Sequence, residues 1–269
     1  MPVNSIRFNK ILGVLGLCAG ICPGSFGAIP QLPAEHYDWL ADRIFANECN
    51  RDLRCLSHWN AGEDFPSLGI GHFIWYREGQ QERFEETFPA LLLHLQRSGV
   101  ALPGWLNPPL DADNPWPDRD SFMAARDSQR LVALRALLAD TMGLQAQFIA
   151  SRLDLTIDEI MASFPAARQQ EVAQIFASLA SQESPLGLYA LIDYLHFKGS
   201  GLKSSERYAG QGWGLRQVIE RMHSDDTSLQ AFVAAATAVL QNRVDNAPPE
   251  RNEGRWLQGW VNRLHSYLP

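Results

Sequence analysis

Between residues 58 and 76 the chain reads HWNAGEDFPSLGIGHFIWY, and this stretch departs from the pattern around it. Four of its first fourteen positions are glycine or proline (Gly62, Pro66, Gly69 and Gly71), and it closes on Phe73-Ile74-Trp75-Tyr76. Glycine punctuation breaks helical periodicity, while aromatic and β-branched side chains suit a pleated backbone. The stretch predicts a small hairpin or strand pair.

Outward from it, the pattern is helical. On the N-terminal side Tyr37, Leu40, Ala41, Ile44 and Phe45 fall at i, i+3, i+4, i+7 and i+8, just after Pro33. That spacing predicts a helix that begins after the proline and ends near Glu48. On the C-terminal side similar stripes run through Val172, Ile175, Phe176, Leu179; Leu188, Leu191, Ile192, Leu195; and Leu229, Phe232, Val233, Ala236, Leu240. Trp256, Trp260, Val261 and Leu264 suggest a last helix. Pro103 to Pro117 is irregular, and Gly210 to Gly214 reads as a turn that sets Trp213 against the domain before a helix over 215–222. The fold class expected is mainly α (α+β): a helical domain with one small β-hairpin near its N-terminus. No repeat, low-complexity stretch or boundary divides residues 29–269.

The first 28 residues read differently. Arg7 and Lys10 precede the apolar run from Ile11 to Ile21, and the small residues Ser25, Gly27 and Ala28 follow. A basic start, a short apolar run and a small-residue exit describe a secretory signal peptide over residues 1–28; the alternative is a retained membrane anchor. Bulky Leu17 and Ile21 before Cys18 and Cys22 argue against a lipoprotein cysteine. Loss of the leader takes away Arg7 and Lys10 and moves the net charge from −7 to −9. So acidic a chain is a poor nucleic-acid binder, and no nucleic-acid partner is expected. A periplasmic or secreted location is expected, with no stable membrane insertion once the leader is gone. Cys49 and Cys55 are then the only cysteines left, with five residues between them. In an oxidising compartment they read as a disulfide, the alternative being two free buried thiols.

Glu48 stands where a packed helix runs out and irregular chain begins. A carboxyl there can face a cleft, and partial burial would favour the protonated form that glycoside cleavage requires. A solvated helix-end glutamate is the plainer alternative, and position alone does not exclude it.

Ser67-Leu68-Gly69-Ile70-Gly71-His72 closely resembles the Thr/Ser-aliphatic-Gly-aliphatic-Gly-His segment of the phage-type lysozymes. In that family a helix ends in the catalytic glutamate and a hairpin carrying this segment follows about twenty residues later. Here Glu48 precedes His72 by twenty-four residues. The resemblance is sharp over residues 34–76. A weaker echo is Tyr194-Leu195-His196-Phe197-Lys198-Gly199, and residues 193–218 look like part of an uncharacterised bacterial branch of lysozyme-like proteins. The resemblance implies that the chain cuts the glycan strands of peptidoglycan with Glu48 as general acid, and that Ser67 helps hold the attacking water. It also suggests that Gly69 and Gly71 let strand backbone approach sugar rings. His72 is expected to bond the hairpin or the acid's surroundings rather than act as a base.

There are departures from the family. The position of its catalytic aspartate is Ala61 here, with Asn60 beside it, and the nearest carboxylates are Glu63 and Asp64. Either could supply the second carboxylate after a small loop shift, or Glu48 could act alone as in lytic transglycosylases. A scaffold that binds glycan, or inhibits another wall enzyme, without turnover is a third possibility. Trp59, Trp75, Trp105 and Trp213 could stack on sugars, although core packing is the commoner fate of a tryptophan. His58, His72 and the nearby acids lack the two-histidine helical spacing of metalloproteases, and no phosphate-binding loop or nucleophile elbow occurs. No metal and no cofactor are expected.

Overall fold

Pro33 caps the first helix, α1 (Ala34–Cys49), in the computed structural model, which describes residues 32–82 and 84–269. The signal peptide expected over residues 1–28 falls outside the described residues. The face of α1 that the spacing anticipated is the buried one: Tyr37, Leu40, Ala41, Ile44 and Phe45, with Cys49 at the end. Asn50 and Arg51 then take left-handed backbone conformations, which stop the helix and turn the chain sharply.

The region 57–74 forms three short antiparallel strands, β1 (Ser57–His58), β2 (Ser67–Leu68) and β3 (Phe73–Ile74), in that order across the sheet. Ser67 stands opposite both His58 and Ile74. The expected hairpin is β2–β3, and β1 extends it. A second small hairpin, β4 (Arg207–Tyr208) with β5 (Gln211–Gly212), lies where only a turn before Trp213 was expected.

Helices make up the rest: α2 (Phe88–Arg97), α3 (Arg119–Ala124), α4 (Gln129–Asp140), α5 (Met142–Ala162), α6 (Ala166–Ser181), α7 (Leu186–Lys198), α8 (Leu215–Glu220), α9 (Leu229–Asn246) and α10 (Gly254–His265). The protein is thus mainly α with a small β element. None of the described helices is long and apolar enough to cross a membrane.

Two helices position the site. α1 packs along α5, which also holds the sheet. Gln145 on α5 is fully buried; it accepts from the Ile70 N–H at 2.9 Å and donates to the Leu138 carbonyl at 2.6 Å and the Thr141 hydroxyl at 3.1 Å. A buried carboxamide is tolerated because its polar atoms are paired, and it pins the hairpin tip to the helix. Gly69 has φ +67°, and a Cβ there would strike the Gln145 side chain; one at Gly71 would strike Phe73 and Ile149. Packing of the hairpin on α5 and on itself accounts for both glycines, and Gly71 also lines a groove.

The other helix is α7. From Leu186 to Tyr194 every residue is buried. A helix apolar all round is surrounded by protein, so α7 runs through the core, and the single stripe read from its sequence understates its burial. Asp193 sits on it, 1% exposed. The chain end, Leu264 and Tyr267, returns to pack here as well.

Candidate active site

Glu48 lies in the last turn of α1, and its side chain keeps 15% of its exposure. Oε1 accepts from Arg263 Nη2 on α10 at 2.5 Å. Arg263 is in turn held by Asp193, through Nε to Oδ2 and Nη2 to Oδ1, both at 2.8 Å. The Tyr267 hydroxyl donates to Asp193 Oδ2 at 2.6 Å, and Asn47 donates to Asp193 Oδ1 at 3.1 Å and to the Tyr189 hydroxyl at 2.6 Å. Burial works against the charge of Arg263, but the hydrogen bonds and charge of Asp193, then those of Glu48, outweigh it and raise its pKa. Burial raises the Tyr267 phenol well above its ordinary value, and Asp193 adds to this, so it stays a donor. This network fixes one carboxylate oxygen of Glu48.

Two histidines flank the carboxylate, one nearest each oxygen. His72 Nδ1 lies 3.6 Å from Glu48 Oε2, and His196 Nε2, on α7, lies 4.0 Å from Oε1. The left-handed backbone of His72 (φ +47°) turns its ring back toward the end of α1. Burial pushes its pKa down, helped by His196 and His58, while Glu48 and Glu63 oppose the shift, so the ring is neutral at neutral pH. Cys49 and Cys55 are joined, with 5.4 Å between their Cα atoms. Cys55 Sγ sits 3.7 Å from His72 Nε2 and 3.6 Å from the Glu48 carbonyl oxygen. The disulfide therefore closes the loop directly after Glu48 and packs on the ring that faces it.

His196 and Gly71 open onto a groove of about 720 Å³ whose walls include Ile74, Arg152, Ile192 and Leu195. Arg152 on α5 bridges to Glu85 at its rim through hydrogen bonds of 2.7 and 3.2 Å. Glu48 and His72 do not themselves line the groove; His196 does, and it links the groove to the acid, where proton transfer, hydrogen bonding or metal ligation are all chemically possible.

The residues expected from sequence fall in different places. Glu63 is half-buried on the loop before β2; Asn60 Nδ2 donates to its Oε2 at 3.0 Å, and its charge reaches His72. Asp64 is exposed, with its backbone carbonyl bound to Gln80. Of the two, Glu63 is the one whose charge acts on His72, with its carboxylate held by Asn60. Ser67 is buried in the central strand and is not among the residues lining the groove.

Trp59 and Trp75 are core residues, 2% and 0% exposed, with their indole N–H groups donating to the carbonyls of Glu63 and Ala112. The expectation that they bind substrate is corrected on that ground: no sugar can reach either ring. Trp213 is buried too, and Trp105 joins a cluster with Trp75 and Trp116.

Arg263 and Asp193 had no signal in the sequence beyond a helix end and a buried helix. His196 did lie in a motif, Tyr194 to Gly199, but nothing local tied it to Glu48. Comparison with family models, curated proteins and solved structures gives no match, so the reading of the site rests on its own geometry and on the short motif around His72.

Proposed function

We propose that the chain is a glycoside hydrolase that cuts the glycan strands of peptidoglycan, with Glu48 as general acid. The single observation that carries this reading is the partly buried Glu48, held at the end of a packed helix beside a groove and followed by the Ser67–His72 hairpin. Order and spacing of these parts are those of the phage-type lysozymes.

In this mechanism Glu48 leaves Arg263, which stays anchored on Asp193, and its proton passes to the glycosidic oxygen as the bond breaks. Glu63 or Asp64 stabilises the developing oxocarbenium charge or activates water, Glu63 being the more buried of the two. Ser67 places water only if the sheet edge opens, because its hydroxyl lies in the buried central strand. The disulfide and the basic, apolar leader sequence both support work outside the cytoplasm, in the periplasm or medium.

One observation favours a second reading. An acid already paired with a guanidinium must be released from it before it can donate a proton, and a protein that only binds glycan has no such requirement. Mass spectrometry of purified peptidoglycan after digestion separates the readings. Reducing ends support hydrolysis, anhydro ends point to a lytic transglycosylase using Glu48 alone, and unchanged strands that retain the protein point to binding without turnover.

A further inference from the structure

We infer that Glu48, His72 and His196 form a binding site for one divalent transition-metal ion of the zinc class. Two imidazoles and one carboxylate are a common zinc ligand set, and a three-ligand site leaves a fourth position for water. The three residues come from the end of α1, the β2–β3 turn and α7, and their ligand atoms all lie within 4.8 Å of one another. Zinc bonds of about 2.0–2.2 Å in a tetrahedron place ligand atoms about 3.4 Å apart. His72 Nδ1 lies 3.6 Å from Glu48 Oε2 and His196 Nε2 lies 4.0 Å from Oε1, near that edge and too long for hydrogen bonds, so a tetrahedral site needs the carboxylate to turn one oxygen toward both rings.

The orientation of His72 adds a second argument. Its Nδ1 faces Glu48 Oε2 at 3.6 Å, while Nε2 packs against the Cys55 sulfur at 3.7 Å, so one ring nitrogen is turned to the carboxylate and the disulfide fixes the other side of the ring.

Charge and access agree. Glu48 and Asp193 place two carboxylates against the single guanidinium of Arg263, leaving one negative charge in surplus. Asp193 alone accepts two hydrogen bonds from Arg263, so the guanidinium stays anchored if Glu48 turns to an ion. The side chains of His72 and His196 are 33% and 29% exposed, and His196 lines the groove, so an ion has a path in. A bound ion occupies the lone pair through which Glu48 would carry its proton, so zinc switches cleavage off. That consequence rests on Glu48 being the acid; the binding itself does not.

Isothermal titration of the chelator-stripped protein with zinc chloride tests the site, with cobalt(II) absorption as a second readout of tetrahedral nitrogen and oxygen ligation. One zinc per chain is expected. Partners that merely orient a ligand are worth about 10–100-fold in affinity, so loss of a ligand in His72→Ala or His196→Ala should weaken binding by at least about 100-fold. His223→Ala, on an exposed turn, should bind as wild type does. His72→Gln and His196→Gln serve where an alanine variant fails to melt cooperatively. No binding by the folded wild type, or equal binding by the two ligand variants, overturns the proposal. Digestion of sacculi with and without zinc is run in parallel. Zinc bound by a protein that never cuts removes the hydrolase reading and keeps the site. Cleavage by a protein that takes up no zinc does the reverse. Cleavage undiminished at saturating zinc overturns the inhibitory consequence.

Discussion

Arg263 reaches Glu48 across 215 residues of chain and donates to its Oε1 at 2.5 Å. The same guanidinium is forked onto Asp193, 1% exposed on the core helix α7. The geometry of the carboxyl that ends the first helix is therefore set by the last helix of the protein. A planar guanidinium suits this task because its donors are fixed relative to one another, so it can hold two carboxylates in a defined relation.

Asp193→Ala should destabilise the protein by about 3–5 kcal/mol, because it strands the buried Arg263 charge and removes the acceptor of Tyr267. The double substitution Asp193→Leu with Arg263→Met should cost much less. Urea unfolding of the three proteins checks this. A single variant as stable as wild type would mean that the pair is solvated.

Glu48→Gln should leave the fold intact and lower glycan cleavage by about 10²–10⁴-fold, since the amide keeps the shape but delivers no proton. Glu63→Gln should be nearly as damaging if two carboxylates act, and Asp64→Asn should be close to neutral. Release of soluble fragments from sacculi measures all three. Wild-type cleavage by Glu48→Gln would sink the mechanism proposed for this site.

Opening the Cys49–Cys55 link should cost about 2 kcal/mol by the chain-entropy argument for so short a loop. It should also loosen the His72 ring, which packs on Cys55. Cys49→Ser with Cys55→Ser is therefore expected to melt earlier and, at temperatures where it is folded, to show a broadened His72 ring signal by nuclear magnetic resonance. An unchanged signal would place the ring's support elsewhere.

Gly69→Ala should destabilise by at least about 1 kcal/mol, because φ is positive there and the new methyl meets the buried Gln145. Thermal melting checks it. Stability equal to wild type would show that the hairpin tip can move off α5.

Lys198 supplies a pH prediction. It is 7% exposed, with Nζ 3.4 Å from the Trp260 ring centre and 3.8 Å from that of Phe197. Burial, aided by Arg243 and Arg263 and opposed by Glu253, pushes its pKa from 10.5 down to about 6. Between those values the unfolded chain holds a proton that the folded chain has lost, so stability rises with deprotonation of the unfolded chain as pH climbs from about 6 toward 10.5. Lys198→Met should remove that slope and stabilise the protein at pH 7 by at least about 1 kcal/mol. Denaturation at several pH values measures both. Parallel pH profiles for the two proteins would mean that the cation–π contacts keep the amine charged.

Much of the architecture was legible along the chain. The α1 stripe, Pro33 at its start and the glycine-punctuated hairpin were each local features, and local features survive into the fold when nothing opposes them. α5 carries a buried stripe at helical spacing, Ala146, Ala150, Leu153, Ile157 and Ile160, but its two alanines and the polar Gln145 beside them give it little apolar contrast in the sequence. The tryptophans misled for the reason that a large aromatic ring suits a core and a sugar equally; only burial distinguishes the two uses.

By itself, the sequence determined the helix that ends at Glu48, the hairpin that follows it and the spacing between them; it left Cys49 and Cys55 as a disulfide or two free thiols, and the structure joins them. These depend on residue type and on separations of a few residues, where backbone sterics and periodicity decide. Only the tertiary structure decided which groups surround the acid. Arg263, Asp193, His72 and His196 meet Glu48 because α7 runs through the core and α10 folds back across it. Contacts over separations of up to 215 residues follow from how apolar faces pack, and no local pattern encodes them.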